Sequence, residues 1–351
     1  MRIYNSKLWI SDLDETINVL PELDELADNS VMITGCTGLI CSAIVDILIR
    51  WNEVHDKKIQ ILAAGRNKNK IIERFYPYSK KNWFVFVPYD AVSEKKLLKI
   101  KCTYIIHGAC NASPNIIIKE PVETMLSNFL GIKNLLDYAK ENAVKRVLYI
   151  SSSEVYGKKT DNQPYHIDEY GYIDLLNSRN SYSIGKRAAE TLCISYADEY
   201  GVESVIIRPG HIYGPTAVPS DERVSSAWAY AAASGKEIIM KSNGSQIRSY
   251  CYCLDSASAI LKVLFKGKNS LAYNISNYES IITIKEMAEI LAKSANVNLK
   301  VEIPTAIEKK SFNPMNNSSL DATELLELGW KGLFNAERGF SHTIKILKEL
   351  I

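Results

Sequence analysis

The feature that most constrains how this chain folds is a regular alternation of short apolar runs with longer amphipathic stretches. The apolar runs cover residues 30–34, 59–64, 83–87, 103–107, 147–151 and 202–207. The amphipathic stretches between them include residues 122–140 and 182–200, and both have the apolar spacing of a helix face. Strand patterns that alternate with helix patterns indicate parallel βαβ units. We therefore predict an α/β fold with a doubly wound parallel sheet, the Rossmann arrangement.

The alternation becomes irregular after Pro209 and Gly210, where loops rich in proline, serine, glycine and asparagine separate helical patterns at 255–266, 284–295 and 335–350. A smaller C-terminal substrate domain is therefore predicted. The residues before the first strand are acidic and weakly patterned, which indicates a surface extension. The predicted organisation is an N-terminal extension over 1–29, a dinucleotide-binding domain over 30–210 that residues 250–275 rejoin, and a substrate domain over 211–249 and 276–351.

Composition excludes several classes of function. The 42 Lys and Arg residues nearly balance the 40 Asp and Glu residues, which argues against a nucleic-acid binder and a polybasic membrane anchor. No apolar run approaches the length of a membrane span, and no secretion signal is predicted. The seven cysteines contain no CxxC pair and the five histidines lie far apart in the sequence. We therefore expect reduced thiols, a cytoplasmic enzyme and no metal site.

A glycine turn, Gly35-Cys36-Thr37-Gly38-Leu39-Ile40, lies between the first strand and the first helix. Glycines there allow a tight turn and let a pyrophosphate approach the backbone N–H groups of the helix N-terminus. Cys41 replaces the third glycine of the usual dinucleotide-binding pattern, and we expect it to shift the helix slightly without abolishing binding. The turn predicts a dinucleotide site.

The end of the second strand, Ala64-Gly65-Arg66-Asn67, bears on the choice of dinucleotide. An acidic residue there would bind an adenosine 2′-hydroxyl, whereas an arginine would accommodate a 2′-phosphate. Arg66 is equally compatible with a solvated loop cation, so NAD and NADP both remain open. Asp90, just after the third strand, is a candidate adenine contact.

Tyr182 and Lys186 are spaced four residues apart at the start of a predicted helix, so they share one face. Free tyrosine has a pKa of about 10, and a neighbouring cation is expected to lower it enough for Tyr182 to act as a general base. The preceding strand ends in three serines followed by Glu154. Ligands of open α/β sheets bind at the carboxyl ends of the strands, so Ser152, Ser153 and Glu154 are further catalytic candidates.

Together these motifs resemble the extended short-chain dehydrogenase/reductase family of nucleotide-sugar epimerases, dehydratases and decarboxylases. The resemblance rests on the glycine turn, His107-Gly108-Ala109, Ser-Ser-Ser-Glu-Val-Tyr-Gly at 151–157 and the Tyr182–Lys186 pair. It continues to the C-terminus and includes Gln246-Ile247-Arg248-Ser249-Tyr250, Asp255 and Leu328-Gly329-Trp330. Three stretches are most similar to UDP-glucuronate decarboxylases, namely Ala112-Ser113-Pro114-Asn115, Gly185-Lys186-Arg187-Ala188-Ala189-Glu190-Thr191 and Asp221-Glu222-Arg223-Val224.

The resemblance implies a role for each matching residue. Tyr182 would be the base, Lys186 would hold the cofactor ribose and tune Tyr182, and Ser152 would hydrogen-bond the sugar C4 oxygen. Glu154 would act near C5 and C6, with Ser153 and Arg248 beside the sugar carboxylate or the diphosphate. The cofactor-binding residues would be Gly35, Thr37, Gly38, Leu39, Ile40, Arg66, Asp90, His107, Gly108, Ala109, Tyr182, Lys186 and Pro209, and the substrate-binding residues Ser113, Arg223 and Arg248.

The implied activity is an NAD-dependent modification of a nucleotide sugar through a C4-keto intermediate, preferentially UDP-glucuronate decarboxylation. A 4,6-dehydratase commonly has an aspartate where this chain has Ser153, and a 4-epimerase needs no residue like Glu154. A non-catalytic NAD(P)-sensing protein usually lacks the Tyr–Lys pair, which is intact here. The family also implies polysaccharide biosynthesis and a homodimer. The dimer would pair helices 122–140 and 182–200 through Leu126, Phe129, Leu130, Leu135, Leu192, Cys193 and Tyr196.

Overall fold

The chain folds around a central sheet in a computed structural model that describes residues 2–93, 100–304 and 315–351. The strands are β1 (Ser30–Thr34), β2 (Gln60–Gly65), β3 (Phe84–Pro88), β4 (Tyr104–His107), β5 (Arg146–Ile150), β6 (Ser204–Pro209), β7 (His211–Tyr213), β8 (Ile238–Met240), β9 (Ile247–Tyr252), β10 (Ala272–Ile275), β11 (Ile281–Thr283), β12 (Leu299–Val301) and β13 (Asn317–Ser318). The helices are α1 (Lys7–Asn18), α2 (Leu39–Val54), α3 (Lys68–Arg74), α4 (Pro114–Lys119), α5 (Pro121–Asn142), α6 (Ser181–Tyr200), α7 (Val224–Ala233), α8 (Cys253–Lys266), α9 (Ile284–Ala295), α10 (Thr323–Glu327) and α11 (Ala336–Leu350).

The central sheet has seven parallel strands in the order β10-β6-β5-β4-β1-β2-β3, which confirms the predicted doubly wound arrangement. The strand order reverses between β1 and β4, where Thr34 is in register with His107. Connections on the two sides of this point cross opposite faces of the sheet, so a crevice opens at the carboxyl ends of β1 and β4. This crevice is the position at which the fold places a ligand.

Side chains of β1 alternate between two cores, as a strand covered on both faces requires. Val31 and Ile33 belong to the core formed with α2 and α8, whereas Met32 belongs to the core formed with α5 and α6. Helices α5 and α6 pack against each other on that second face. Residues 253–275 return to the sheet as α8 and β10, and β10 pairs with β6 at the edge.

The N-terminal residues do not form the predicted surface extension. Helix α1 begins after Ser6, whose hydroxyl accepts a hydrogen bond from the Trp9 amide, and it packs on α2 and α8. The side chains of Trp9 and Leu13 are fully buried in the same core as α2. Ion pairs of Asp14 with Arg50, of Glu15 with Arg338 and of Glu22 with Lys262 attach the acidic residues to the rest of the chain. The acidic residues therefore belong to a docked segment, in which Asp14 and Glu15 stay partly exposed while Asp12 is buried and bonds Tyr252 and His342.

The smaller C-terminal part is built around β9. Strand β11 pairs with it antiparallel, whereas β7 and β13 pair with it in parallel. Helices α7, α9 and α11 pack together beside this sheet, and β8 pairs with β12. Strand β7 follows Pro209 and Gly210 directly, so this second sheet continues from the carboxyl edge of the first. No helix in the described ranges has the length and apolar character needed to cross a membrane.

Candidate active site

The glycine turn takes the conformation that the sequence predicts for a dinucleotide site. Gly35 has φ of 67°, in the left-handed region that favours glycine. A Cβ atom at Gly35 would lie 2.9 Å from the Ala109 Cα, so the turn packs closely against the segment after β4. Gly38 donates its N–H to the Gly35 carbonyl at 2.9 Å and caps α2. The first N–H groups of α2, those of Leu39 and Ile40, therefore face the crevice end of the turn.

Thr34 and His107 lock the two neighbouring strand ends together. The Thr34 hydroxyl accepts N–H groups from Gly108 and Ala109, each at 3.2 Å, and lies 2.7 Å from His107 Nδ1. Because the hydroxyl accepts two bonds, it donates its single proton to Nδ1, which makes His107 a neutral imidazole with its proton on Nε2. Burial, together with the charge of Lys186, lowers the His107 pKa to about 3. His107 thus contributes by holding Gly108 and Ala109 in place.

Cys41 occupies the position of the missing third glycine without separating the helix from the sheet. A Cβ atom at Gly108 would lie 2.4 Å from the Cys41 sulfur, so the thiol fills the space directly above that glycine. The third glycine of the usual pattern allows close helix-to-strand packing. In this chain Gly108 supplies the missing space from the strand side.

Arg66 and Asp90 follow the carboxyl ends of β2 and β3, and both side chains are exposed. The Asp90 carboxylate accepts the Val92 N–H at 3.2 Å, which leaves its second oxygen towards solvent. Both residues thus lie at the ends of the two outer strands on this side of the sheet. Their contacts with a cofactor remain a prediction.

Tyr182 and Lys186 lie on the buried face of α6. The Lys186 side chain is 1% exposed, and its Nζ donates to the Ile150 carbonyl at 2.6 Å. Nζ lies 5.6 Å from the Tyr182 ring centroid and 4.7 Å from that of Tyr149. The cation is therefore fixed between the end of β5 and the catalytic candidate.

The sequence predicts that Lys186 lowers the pKa of Tyr182, but in the structure the pKa of Tyr182 is raised. Burial raises the pKa of Tyr182 well above its usual value, and the neighbouring Cys110 and Glu154 side chains raise it further. The Ser152 hydroxyl and the Arg223 guanidinium act in the opposite direction. The surroundings of Tyr182 in the protein therefore favour the neutral phenol.

The turn after β5 places Glu154 beside Tyr182. Ser152 caps the short 3₁₀ helix Ser153–Tyr156 by accepting the Glu154 N–H at 3.2 Å. One Glu154 oxygen accepts a hydrogen bond from Ser183 Oγ at 3.1 Å and lies 3.9 Å from Arg179. The carboxylate remains about half exposed to the crevice. It is thus held close to Tyr182 while free to contact a ligand.

Two arginines approach from the C-terminal part of the chain. Arg223 immediately precedes α7 and pairs with Asp221 at 2.6 Å, and its charge acts on Tyr182. Arg248 on β9 is buried, and its guanidinium donates to the carbonyls of Ile247 and Met315. Burial, with the charges of Arg248 and Arg223, lowers the pKa of His211 to about 4. The described part of the chain provides no carboxylate partner for Arg248, so this region favours an anion.

The segments that carry Ser113 and Arg223 also meet. Ser113 precedes α4 and is half-buried, and the Asn115 amide donates to the Glu222 carboxylate. Pro209 ends β6 in the buried sheet, next to Ile275 of β10. The structure thus brings the start of α4 next to the segment before α7.

Sequence reasoning missed several neighbours of the reacting group. Arg179 and Ser183 flank Tyr182 closely in the chain, and this proximity was the signal that they share its side of the crevice. His211 was set aside with the other histidines, although it lies two residues after the end of β6. Cys110 influences Tyr182, but only the folded chain brings them together. In the described ranges, no three potential metal ligands cluster.

The fold and the site define a Rossmann enzyme of the short-chain dehydrogenase/reductase class, with a Ser–Tyr–Lys set at the carboxyl end of β5, one strand away from the switch point of the sheet. The family model described as "NAD dependent epimerase/dehydratase family" matches residues 31–276. The chain belongs to this family of enzymes.

Curated relatives agree with this membership, and solved structures share the fold. UDP-glucuronic acid decarboxylase 5 of Arabidopsis thaliana is 30% identical over 310 residues, which cover 86% of this chain and 84% of that protein. UDP-glucuronic acid decarboxylase 1 of Danio rerio is 28% identical over 324 residues, or 92% and 73% of the two chains. UDP-glucuronic acid 4-epimerase from Bacillus cereus, solved with UDP-glucuronic acid and NAD, superposes with a TM-score of 0.75 at 19% identity, covering 92% of this chain and 100% of the other.

Proposed function

We propose that this enzyme oxidises a UDP-linked uronic acid at C4 and then releases its carboxyl group as CO₂. The observation that carries the proposal is that Ser152 and Glu154, in the turn after β5, lie beside Tyr182 and Ser183 at the start of α6, with Arg223 close enough to act on Tyr182 and the buried Arg248 close enough to act on His211. The identity to UDP-glucuronic acid decarboxylases over most of the chain supports the same substrate class. The intact Tyr–Lys pair supports catalysis over cofactor sensing.

The glycine turn and the strand ends fit a nicotinamide dinucleotide. Gly35, Thr37, Gly38, Leu39 and Ile40 would hold the pyrophosphate at the N-terminus of α2. Bound NAD supplies the hydride acceptor and a positive ring charge. Lys186, fixed on the Ile150 carbonyl, would hold the nicotinamide ribose. The cofactor site would be completed by Arg66, Asp90, Gly108, Ala109 and Pro209.

Tyr182 would take the proton of the C4 hydroxyl while Ser152 hydrogen-bonds the same oxygen. Ser152 already acts on the Tyr182 phenol in the direction that favours the phenolate. The raised pKa of the isolated phenol keeps its proton in place until positive charge enters the site. Proton removal is thereby coupled to occupation of the crevice.

Oxidation at C4 turns a uronic acid into a β-keto acid, which loses CO₂ through an enolate that the ketone stabilises. Glu154, held by Ser183, would act near C5, where the enolate carbon regains a proton. Ser153 in place of an aspartate disfavours dehydration, because the departing C6 hydroxyl of a hexose would lack its acid. Both features favour a carboxylate over a hydroxymethyl group at C5.

Arg248 and Arg223 would bind the substrate diphosphate or carboxylate, with Ser113 contributing a hydroxyl. A planar guanidinium binds such groups bidentately, and a buried one without a carboxylate partner in the described residues is available for this. We further propose that the enzyme works in the cytoplasm as a homodimer and supplies a sugar for polysaccharide biosynthesis.

Incubation with UDP-glucuronate, UDP-glucose and dTDP-glucose, followed by product masses, tests the proposal. Loss of the mass of CO₂ from UDP-glucuronate alone is the expected result. Loss of the mass of water from a hexose substrate would establish a dehydratase instead. An unchanged mass with altered retention would establish an epimerase.

A further inference from the structure

A buried ion pair joins α6 to β6 behind the catalytic candidates. Glu190 lies on α6, one turn after Lys186, and Arg208 lies on β6. Arg208 Nη2 lies 2.7 Å from Glu190 Oε2, and Arg208 Nε donates to Glu190 Oε1 at 3.1 Å. The two side chains are only 2% and 10% exposed. The pair has no part in the chemistry described above.

Every N–H group of the Arg208 guanidinium has an acceptor. Besides the two bonds to Glu190, Nη1 donates to the Tyr156 hydroxyl at 3.0 Å and the Ile167 carbonyl at 2.6 Å. Nη2 donates its second proton to the Tyr170 hydroxyl at 2.8 Å. A guanidinium has five donors, so all of them are used. Arg208 thereby fixes the loop after β5 against the sheet.

The pair also reaches the catalytic turn itself. Ser151 directly precedes Ser152, and its hydroxyl donates to Glu190 Oε1 at 2.5 Å, the same oxygen that accepts from Arg208. On the neighbouring face of α6, Arg187 donates to the carbonyls of Val155 and Tyr156. The turn that carries Ser152 is therefore tied to the helix that carries Tyr182 at both of its ends.

We infer that Glu190 and Arg208 are positioning residues, which set the Ser152 hydroxyl against the Tyr182 phenol through Ser151. Charge is essential to this role, because only a carboxylate can accept from Ser151 and twice from Arg208 at once. Removal of either partner leaves an uncompensated buried charge, which moves the turn. The inference rests on the proposed function where it is tested by kinetics, because kinetics need the proposed substrate. A second test, by hydrogen exchange, needs only the geometry described here.

The kinetic test compares Glu190→Gln with Asp46→Asn on UDP-glucuronate. Asp46 is fully buried and pairs with Arg74 at 2.6 Å on α2 and α3, so its variant reports the loss of a buried ion pair outside the catalytic turn. Glu190→Gln should lower kcat by about 10²-fold, because small misplacements of reacting groups cost this much, while KM and NAD affinity stay within about twofold. Asp46→Asn should lower the unfolding temperature and leave kcat unchanged. Equal effects of the two variants on kcat would overturn the inference.

A double-variant cycle separates positioning from stability. In a Ser152→Ala background the hydroxyl to be positioned is gone, so Glu190→Gln should lower kcat further by less than about twofold. A further loss as large as in the wild type overturns the inference. If Glu190→Gln does not fold, Arg208→Lys takes its place in the test. This variant keeps the positive charge but has three donors in place of five, and it should show the kcat loss that is predicted for Glu190→Gln.

Hydrogen exchange provides a test that needs no sugar. The amides of residues 151–157 should exchange about tenfold faster in Glu190→Gln, while those of the glycine turn at 35–40 keep their wild-type rates. Unchanged exchange at 151–157 overturns the inference. If wild-type enzyme converts none of the nucleotide sugars, the proposed function fails, and this exchange result still decides the positioning role.

Discussion

Two opposing effects act on the pKa of Tyr182. The residue is 7% exposed, and burial raises the pKa of its phenol, whereas Ser152 and Arg223 favour the phenolate. Lys186 lies one helical turn away, but its Nζ is engaged by the Ile150 carbonyl. A residue spacing identifies such a pair, but the balance of desolvation and charge decides when the base can work.

Substitution Tyr182→Phe removes the hydroxyl without changing the packing volume. Turnover should fall by about 10² to 10⁴-fold, because general-base assistance is lost, while NAD binding is retained. Steady-state kinetics and a titration with NAD check this. Activity within about tenfold of the wild type would assign the base elsewhere.

Glu154→Gln separates oxidation from the later steps. Added UDP-glucuronate should still reduce enzyme-bound NAD, seen as the absorbance of reduced nicotinamide, but product release should fall by about 10²-fold or more. The control is Glu289→Gln, an exposed acid paired with Lys285 at 3.7 Å on α9, which should behave as wild type. Undiminished product formation in Glu154→Gln would remove Glu154 from the mechanism and favour 4-epimerisation.

His107 makes stability depend on pH. The pKa of His107 is about 3 in the folded protein, which is below its value in the unfolded chain. As the pH falls, the unfolded chain therefore binds a proton before the folded chain does, and the folded state loses stability. The stabilising contribution of His107 is present above about pH 6.5 and is lost towards pH 3. Asp255 has the opposite sign, because burial raises its pKa to about 7 and the folded state retains that proton.

A comparison with His107→Asn isolates the histidine from the other groups. Between about pH 6 and pH 5, wild-type stability should fall by about 1 kcal/mol more than that of the variant. Urea unfolding at several pH values measures both curves. Parallel curves would mean that His107 does not titrate as its burial implies.

At the scale of elements, the packing of α2 on β4 shows how the dinucleotide-binding turn tolerates Cys41 in place of its third glycine. The Cys41 sulfur occupies the space that a side chain at Gly108 would need. Gly108→Ala should therefore weaken NAD binding and destabilise the fold by about 1 to 3 kcal/mol through overpacking. Calorimetry and thermal unfolding measure the two effects. The double variant Cys41→Ala/Gly108→Ala, which removes the sulfur, should recover most of both losses, and failure to recover would contradict this packing argument.

Helix α1 illustrates a second lesson at this scale. Its apolar positions Trp9 and Leu13 lie on one face and are buried, while Asp14 and Glu15 form ion pairs on the other side. The run of acidic residues concealed this narrow apolar stripe in the sequence. The same segment would be a surface extension if no neighbouring surface covered Trp9 and Leu13. It is a docked helix because α2 and α8 cover them.

At the scale of the whole molecule, we expect two chains to associate through α5 and α6. Leu135, Cys193 and Tyr196, predicted to face outward, are instead buried in the core. Leu126 is 42% exposed on the outer face of α5. Light scattering should give twice the chain mass of 39.4 kDa, and Leu126→Asp should shift the mass towards one chain. A single-chain mass for the wild type at micromolar concentration would refute the dimer.

The sequence alone determined the parallel sheet, its helices and the glycine turn, because each depends on local periodicity or on a few adjacent residues. It also predicted that Tyr182, Lys186, Ser152 and Glu154 form one site, since strand ends and helix starts lie at one edge of such a sheet, and their roles stay a prediction. Strands β1, β2 and β5 fall within one residue of their predicted bounds.

Only the tertiary structure decided which distant groups meet. The approach of Arg223 and Arg248, the tying of Ser151 to Glu190 and Arg208, and the docking of α1 join residues far apart in the chain. The same holds for the pKa of Tyr182, which is set mainly by desolvation. Burial depends on everything that packs around a residue, and no spacing within one element can report it.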